Sequence, residues 1–248
     1  MSSTPISNTT ASHSQIKVLQ LNCNRKPTAT HGLLNEQLDK ADILLLQEPQ
    51  WAKISPDRKK SPIGHNAWTP ILPFNTYKPG DPEPRVMAYV QCRPGLKIAL
   101  RSDIIQDRNV QILTASFPEH PTTMIINMYI DKNRKNNRAS KIIRQLPLVL
   151  DQPTIITGDW NIHHLLWANR DRVQHDQETT EIVEWLTQHG FRLINTPGKA
   201  TYLGHTRNRS LSVLDLTFAN GPATQNACPS DWAVNQDIAY GSDHYTIQ

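Results

Sequence analysis

The chain has 248 residues, 38% hydrophobic and 19% charged, which suits one large α/β domain or two small ones and excludes a peptide, a collagen or a wholly disordered chain. Its 26 Lys and Arg against 22 Asp and Glu leave a net charge of +4, a mild basic excess that fits a polyanionic partner without demanding one. No apolar run approaches the ~20 residues of a membrane span. The three cysteines, Cys23, Cys92 and Cys228, lack the spacing of a metal site, so they read as free thiols in a reducing compartment.

Met1 to Ser14 is mostly Ser, Thr, Asn and Pro and is expected to be a disordered polar leader, with residues 15–248 forming one domain. Ile16–Leu21 reads as a strand, Thr30–Lys40 as a helix with Leu33, Leu34, Gln37 and Leu38 at helical spacing, and Asp42–Gln47 as a strand covered on both faces. A Pro-rich stretch from Pro49 to Pro84 holds a weak strand signal at Trp68–Leu72. Strands follow at Arg85–Gln91, Val110–Phe117 and Thr123–Ile130. A helix is expected within Asn136–Leu150, ended or kinked by Pro147. Thr154–Thr157 is a strand, Gln177–His189 an amphipathic helix stopped by Gly190, and Leu211–Phe218 another strand. No internal repeat is visible. Strands come in consecutive groups as well as alternating with helices, which points to two packed sheets with helices outside rather than a doubly wound nucleotide fold.

Several strand ends carry polar residues that a strand interior would not choose: Asn22, Glu48, Tyr129, Gly158-Asp159-Trp160-Asn161, Asp215, and Ser242-Asp243-His244. Each alone has an ordinary reading as a turn former or the first solvated residue. Strand ends of a sandwich converge on one rim, however, and Glu48, Asp159, Asp215 and Asp243 gathered there would repel one another unless a cation sat among them. The donors are oxygens with one His and no Cys set, so the natural occupant is Mg²⁺ rather than Zn²⁺. Carboxylates, amides, a Tyr and a His around such a cation form the equipment for phosphodiester hydrolysis.

In this order the motifs resemble those of the exonuclease–endonuclease–phosphatase superfamily, which includes deoxyribonuclease I and the apurinic/apyrimidinic endonucleases, and the resemblance runs from about Gln15 to the end of the chain. Asp159-Trp160-Asn161-Ile162-His163-His164-Leu165-Leu166-Trp167 is similar to the G-D-F-N-x-H-H-x-x-W signature of LINE-type (non-LTR) retrotransposon endonucleases. Ala200-Thr201-Tyr202 with Ser212-Val213-Leu214-Asp215-Leu216-Thr217-Phe218 is similar to their T-[FY]…S-x-I-D-L-T-F segment. The resemblance implies an α/β (α+β) four-layer sandwich of two mixed sheets flanked by helices, with the active site at one rim. It implies Glu48 as principal Mg²⁺ ligand with Asn22 and Asp243 close by, and Mn²⁺ as a substitute. Asp159 would orient or activate water, Asn161 would hold that water and the phosphate, and Tyr129 would contact the phosphate. His244 would stabilise the pentavalent phosphorus while Asp215 orients the ring. The Tyr129 motif usually continues into prolines; here it reads Ile130-Asp131-Lys132-Asn133.

His163-His164 is expected to support the loop after Asp159, since adjacent side chains point apart. Lys132, Arg134, Lys135, Arg138, Lys141 and Arg144 form a basic run that reads equally as a solvated helix face or as a phosphate-backbone contact. Gly204–Ser210 reads as a protruding hairpin loop whose Arg207 and Arg209 could enter a DNA groove. The function expected is a Mg²⁺-dependent endonuclease that nicks one strand of duplex DNA and leaves a 3′-hydroxyl, acting in the nucleus if its target is genomic. The alternatives are an abasic-site repair nuclease, a phosphatase of inositol or sphingolipid substrates, and an inactive DNA-binding remnant. The chain stops at Tyr245-Thr246-Ile247-Gln248, so its last strand is expected to be cut short, and a reverse transcriptase is expected in the parent element of an excised domain.

Overall fold

The computed structural model describes residues 15–53, 60–78, 81–131, 138–146, 151–168, 177–204, 210–226 and 229–248, with the side chains of residues 138–140 and 142 left aside. The expected leader, Met1 to Ser14, lies outside the described residues.

The elements run β1 (Val18–Asn22), α1 (Pro27–Glu36), β2 (Ile43–Gln47), β3 (Trp51–Lys53), β4 (Lys60–Pro62), β5 (Thr69–Ile71), β6 (Val86–Val90), β7 (Lys97–Leu100), β8 (Val110–Ser116) and β9 (Thr123–Tyr129). They continue with α2 (Arg138–Gln145), β10 (Thr154–Asp159), α3 (Gln177–Gln188), β11 (Arg192–Leu193), β12 (Tyr202–Leu203), β13 (Leu211–Ser212), β14 (Asp215–Ala219), α4 (Gly221–Gln225), β15 (Val234–Asn235) and β16 (Thr246–Ile247).

Two six-stranded sheets result, one in the order β15-β16-β1-β2-β6-β5 and the other β11-β14-β10-β9-β8-β7. Each has a parallel pair at its centre, β1 with β2 and β9 with β10, and antiparallel neighbours on both sides. The sheets therefore share one topology. In both, a strand, a helix and a parallel strand are followed by an antiparallel partner, β6 in the first and β14 in the second. The place beside β9 held by β8 is held beside β1 by β16, from the far end of the chain. No repeat shows in the sequence because the two halves share only backbone pairing.

Period-two alternation sorts the strand residues into layers. From β2, Leu44 and Leu46 join Ala29, Leu33 and Leu34 of α1, whereas Ile43 and Leu45 meet Ala88, Leu113, Ala115 and Ile125 between the sheets. On the other side, Met124, Ile126 and Met128 of β9 pack with Ile143 of α2 and Ile182, Trp185 and Leu186 of α3. Helix, sheet, sheet and helix thus stack around three apolar layers, the four-layer sandwich expected. The layer between the sheets changes character along its length. Val18, Gln20 and Asn22 succeed one another on that face of β1, Ile43, Leu45 and Gln47 on β2, and Ile125, Asn127 and Tyr129 on β9. The apolar core becomes polar toward one rim.

Several boundaries differ from expectation. α1 starts at Pro27, whose fixed φ and missing N–H suit the first turn, and closes at Gln37, whose N–H donates to Leu33 O, so Leu38 packs from outside the helix. The single strand expected over Leu211–Phe218 is two, β13 and β14, because Val213 and Leu214 turn from the small β12–β13 pair into the main sheet. β10 runs two residues beyond Thr157, to Asp159. Residues 136–137 and 147–150, at the ends of the expected second helix and including Pro147, lie outside the described residues.

Candidate active site

Asp159 ends β10, and register aligns it with Tyr129 at the end of β9 on one side and Asp215 at the start of β14 on the other. Asn22 ends β1 in register with Gln47 of β2 in the facing sheet. The parallel pairs point the same way, so their carboxyl ends meet at the polar rim. Gly158 makes the approach possible: its φ is +145°, and a Cβ there would lie 2.0 Å from Met128 O of β9. Glu48 and Asn161, each one turn beyond a strand, adopt left-handed backbone at φ +43° and +46°, as do Asn24 and Arg25. Non-glycine residues held in this region gather where surrounding contacts over-determine them, and these four are half of the eight among the described residues.

Hydrogen bonds tie the group together. Asp159 Oδ2 accepts from Asn22 Nδ2 at 2.7 Å and from Asn161 Nδ2 at 2.8 Å, and its Oδ1 accepts from Asn161 N at 3.0 Å. His244 Nδ1 lies 2.8 Å from Asp215 Oδ2, and its Nε2 faces Asp159 Oδ2 across 3.9 Å. Thr201 Oγ1 accepts both Leu214 N and Asp215 N at 3.0 Å, which anchors the start of β14. Ser242 Oγ donates to Asn22 O at 2.7 Å and accepts His244 N, tying the late Ser-Asp-His segment to β1. Asn24 Nδ2 donates to Asp243 Oδ1 at 2.9 Å. Glu48 faces Arg25 at 3.4 Å. The structure thus brings Asn22, Asp159, Asn161, Asp215 and His244 into one buried cluster, with Asp243 joined through Asn24 and Glu48 at the side of Tyr129.

Burial decides much of the electrostatics. It raises the Asp159 carboxyl to about 7; His244 beside it pulls the other way, and Asp215 adds to the rise. Burial also opposes charge on His244, but Asp215, then Asp159, outweigh it and lift the imidazole to about 9. Burial, then Glu48 and Asp159, push Tyr129 up, so it stays a phenol and a hydrogen-bond donor. Asp159, Asp215 and His244 each offer a ligand atom within 4.8 Å of the others, and with Glu48, Asp243 and the Asn22 amide the rim presents mainly hard oxygen donors around buried negative charge. That donor set fits Mg²⁺ or Mn²⁺ better than Zn²⁺.

Some residues at the rim escape sequence reasoning. Arg85 sits over the Tyr129 ring at 5.3 Å and pairs with Asp131 at 2.5 Å. Burial, then Arg85 and Arg25, lower the pKa of Arg108, so three guanidinium groups share this side of the site. They come from three separate segments, and no local pattern in the sequence would have grouped them. The expected DNA contacts Arg134, Arg207 and Arg209 lie outside the described residues, as does the side chain of Arg138, although Arg138 opens α2. In the same basic run, Arg144 pairs with Glu181 of α3 at 2.6 Å, which assigns it to packing between helices rather than to a free basic face. β12 and β13 pair on either side of the Gly204–Ser210 loop, as a hairpin requires. The His164 ring lies tilted against Trp167 with centroids 5.2 Å apart, and His164 O accepts Trp167 N, contacts that hold the loop after Asp159.

Residues 123–248, half of the chain, match the family model described as endonuclease-reverse transcriptase. No curated protein matches the sequence. Among solved structures, the endonuclease domain of TRAS1, a telomere-specific non-LTR retrotransposon, is similar over 94% of this chain and 96% of its own, at 19% identity and a TM-score of 0.72. The catalytic domain of Xenopus laevis APE2 covers 94% and 90%, at 16% identity and a TM-score of 0.60. A 3′-5′ exonuclease from Neisseria meningitidis covers 94% and 98%, at 14% identity and a TM-score of 0.58. At such identities the likeness is one of fold, the two-sheet sandwich of exonucleases, endonucleases and phosphatases. Fold and family agree, and the chain belongs to the endonuclease–reverse transcriptase family.

Proposed function

We propose that the protein is a divalent-metal-dependent DNA endonuclease that nicks one strand of a duplex, leaving a 3′-hydroxyl of the kind that primes reverse transcription. The observation that carries this reading is the Asp215–His244–Asp159 alignment. A carboxylate holds one ring nitrogen at 2.8 Å, and the other nitrogen faces a second carboxylate across 3.9 Å, beyond hydrogen-bond length, so a proton donor and a proton acceptor stand side by side on the same rim.

In this reading Asp159, its oxygens positioned by Asn22 and Asn161, accepts a proton from water as the water attacks phosphorus. The P–O3′ bond breaks, and the leaving oxygen takes a proton from solvent to become the 3′-hydroxyl, while the phosphate stays on the 5′ end. His244 donates from Nε2 to the oxyanion that develops, and Asp215 keeps the ring turned toward it. The Tyr129 phenol donates to the same phosphate. Held by Glu48 with Asn22 and Asp243, Mg²⁺ or Mn²⁺ would draw charge off the phosphoryl oxygens. Arg25, Arg85 and Arg108 supply positive charge beside the site, and Arg134, Arg138, Arg207 and Arg209 remain the DNA contacts expected from the sequence. If the chain is an excised domain, a reverse transcriptase domain is its partner in the parent element, and if the target is genomic DNA the reaction belongs to the nucleus.

Supercoiled plasmid incubated with Mg²⁺, Mn²⁺ or EDTA tests the reading, beside an oligonucleotide duplex with one abasic site. Relaxed circles should form with either ion and vanish with EDTA. Undiminished nicking in chelator would overturn the metal requirement. Cleavage confined to the abasic duplex would replace target nicking with repair.

A further inference from the structure

The two sheets meet just behind the site in a file of buried amides, and the direction of each hydrogen bond follows from the one before. At its far end Asn127, in β9, donates from Nδ2 to Met87 O at 3.1 Å and Leu46 O at 3.4 Å. Backbone carbonyls only accept, so the amide of Asn127 has one orientation and its Oδ1 faces Gln47. Gln47 must therefore donate: its Nε2 lies 2.6 Å from Asn127 Oδ1. That leaves Gln47 Oε1 turned to β1, where Gln20 Nε2 donates to it at 2.5 Å. The remaining N–H of Gln20 points to Asp215 Oδ1 at 3.0 Å. All three amides are buried, with Gln47 and Asn127 at 0% exposure, so water cannot substitute for a broken link. Reversing any one amide would set two acceptors or two donors face to face.

We infer that Gln20, Gln47 and Asn127 form a positioning relay that carries hydrogen-bond polarity from the backbone of the facing sheet to Asp215, occupying its Oδ1 so that Oδ2 alone receives His244 Nδ1–H and Nε2 is presented to the phosphate. The inference rests on the endonuclease reading for its functional meaning. Gln20 and Gln47 belong to one sheet, Asn127 and Asp215 to the other, so the relay also locks the two halves of the site together. None of the three amides touches the gap between His244 and Asp159, which makes them positioning residues.

The test uses Gln20→Met, Gln47→Met and their double variant in the full chain, with Leu113→Ala of β8 as a control that weakens the core between the sheets from a position whose strand partners are Leu100 and Ile125, outside the relay. Two readouts are taken on folded protein: the ¹⁵N-edited NMR signal of His244 Nδ1–H, and kcat and KM for nicking. Gln20→Met should broaden or shift the Nδ1–H signal and lower kcat about tenfold at unchanged KM, as loss of an orienting contact does. Gln47→Met should act in the same direction and less strongly. The double variant should match Gln20→Met, because links in series do not add. Leu113→Ala should lower the melting temperature yet keep the signal and kcat. If folded Gln20→Met keeps both the parent signal and the parent kcat, or if Leu113→Ala perturbs them equally, the relay is refuted. If the parent protein nicks no DNA, the endonuclease reading fails, and the NMR comparison still decides the relay.

Discussion

His244 is the residue on which the proposed chemistry turns, and it is 2% exposed between Asp215, Asp159 and the ring of Tyr202, whose centroid lies 4.8 Å away. His244→Ala should lower kcat by ~10²–10⁴, the scale of a lost acid–base or electrostatic group, while duplex affinity measured by gel shift barely moves, since most of that affinity is phosphate contact elsewhere. Nicking at the parent rate would place the chemistry elsewhere. The same ring makes stability depend on pH. Its pKa is lifted to about 9 from an ordinary 6.5, because Asp215 and Asp159 outweigh its burial. The folded metal-free protein thus holds a proton that the unfolded chain releases. This contribution is complete below pH 6.5 and disappears as pH rises through 9. Asp159, also raised, has the same sign in a lower window, between 3.8 and about 7. Melting of the metal-free protein from pH 6.5 to 9.5 should show a loss on the order of 2–3 kcal/mol, and His244→Gln should flatten it. A flat profile for the parent would remove the ionic account of the Asp215–His244 contact.

Among the elements, β10 shows how closely backbone and chemistry are joined. Gly158 has no Cβ because Met128 O of β9 occupies its place, and the next residue is Asp159. Gly158→Ala should therefore cost on the order of 3 kcal/mol and abolish nicking, read by thermal melting and plasmid relaxation; a variant as stable and active as the parent would contradict the crowding. Such features differ in how legible they are from sequence. Gly158-Asp159-Trp160-Asn161 and Ser242-Asp243-His244 stand out because polar residues interrupt apolar runs at strand ends, and the long central strands announce themselves by β-branched content. Gln20 alternates with Asn22 and reads as part of a solvated face, while Gln47 ends an apolar run and reads as a polar strand end; only the facing sheet shows that both side chains are buried. Short strands such as β7, β11 and β15 carry too few residues for any period. The division at Val213–Leu214 is hidden because both residues are apolar and buried whichever sheet they serve.

At the level of the whole molecule, the two similarly wired sheets place the site where their parallel pairs end, and the contacts that close it join distant parts of the chain. Gln20 meets Asp215 across 195 residues, Asn24 meets Asp243 across 219, and Ser242 meets Asn22 across 220. Contacts of such span form late and slowly, because loop closure must be completed before they stabilise anything. This topology has a consequence during synthesis. A nascent chain that has emerged as far as β14 already carries Asn22, Glu48, Asp159 and Asp215, yet it lacks His244 and has no β16 beside β1. In the proposed reading, any chain that stops short of Ser242-Asp243-His244 therefore lacks both the donor to the developing oxyanion and the Ser242 tie to β1.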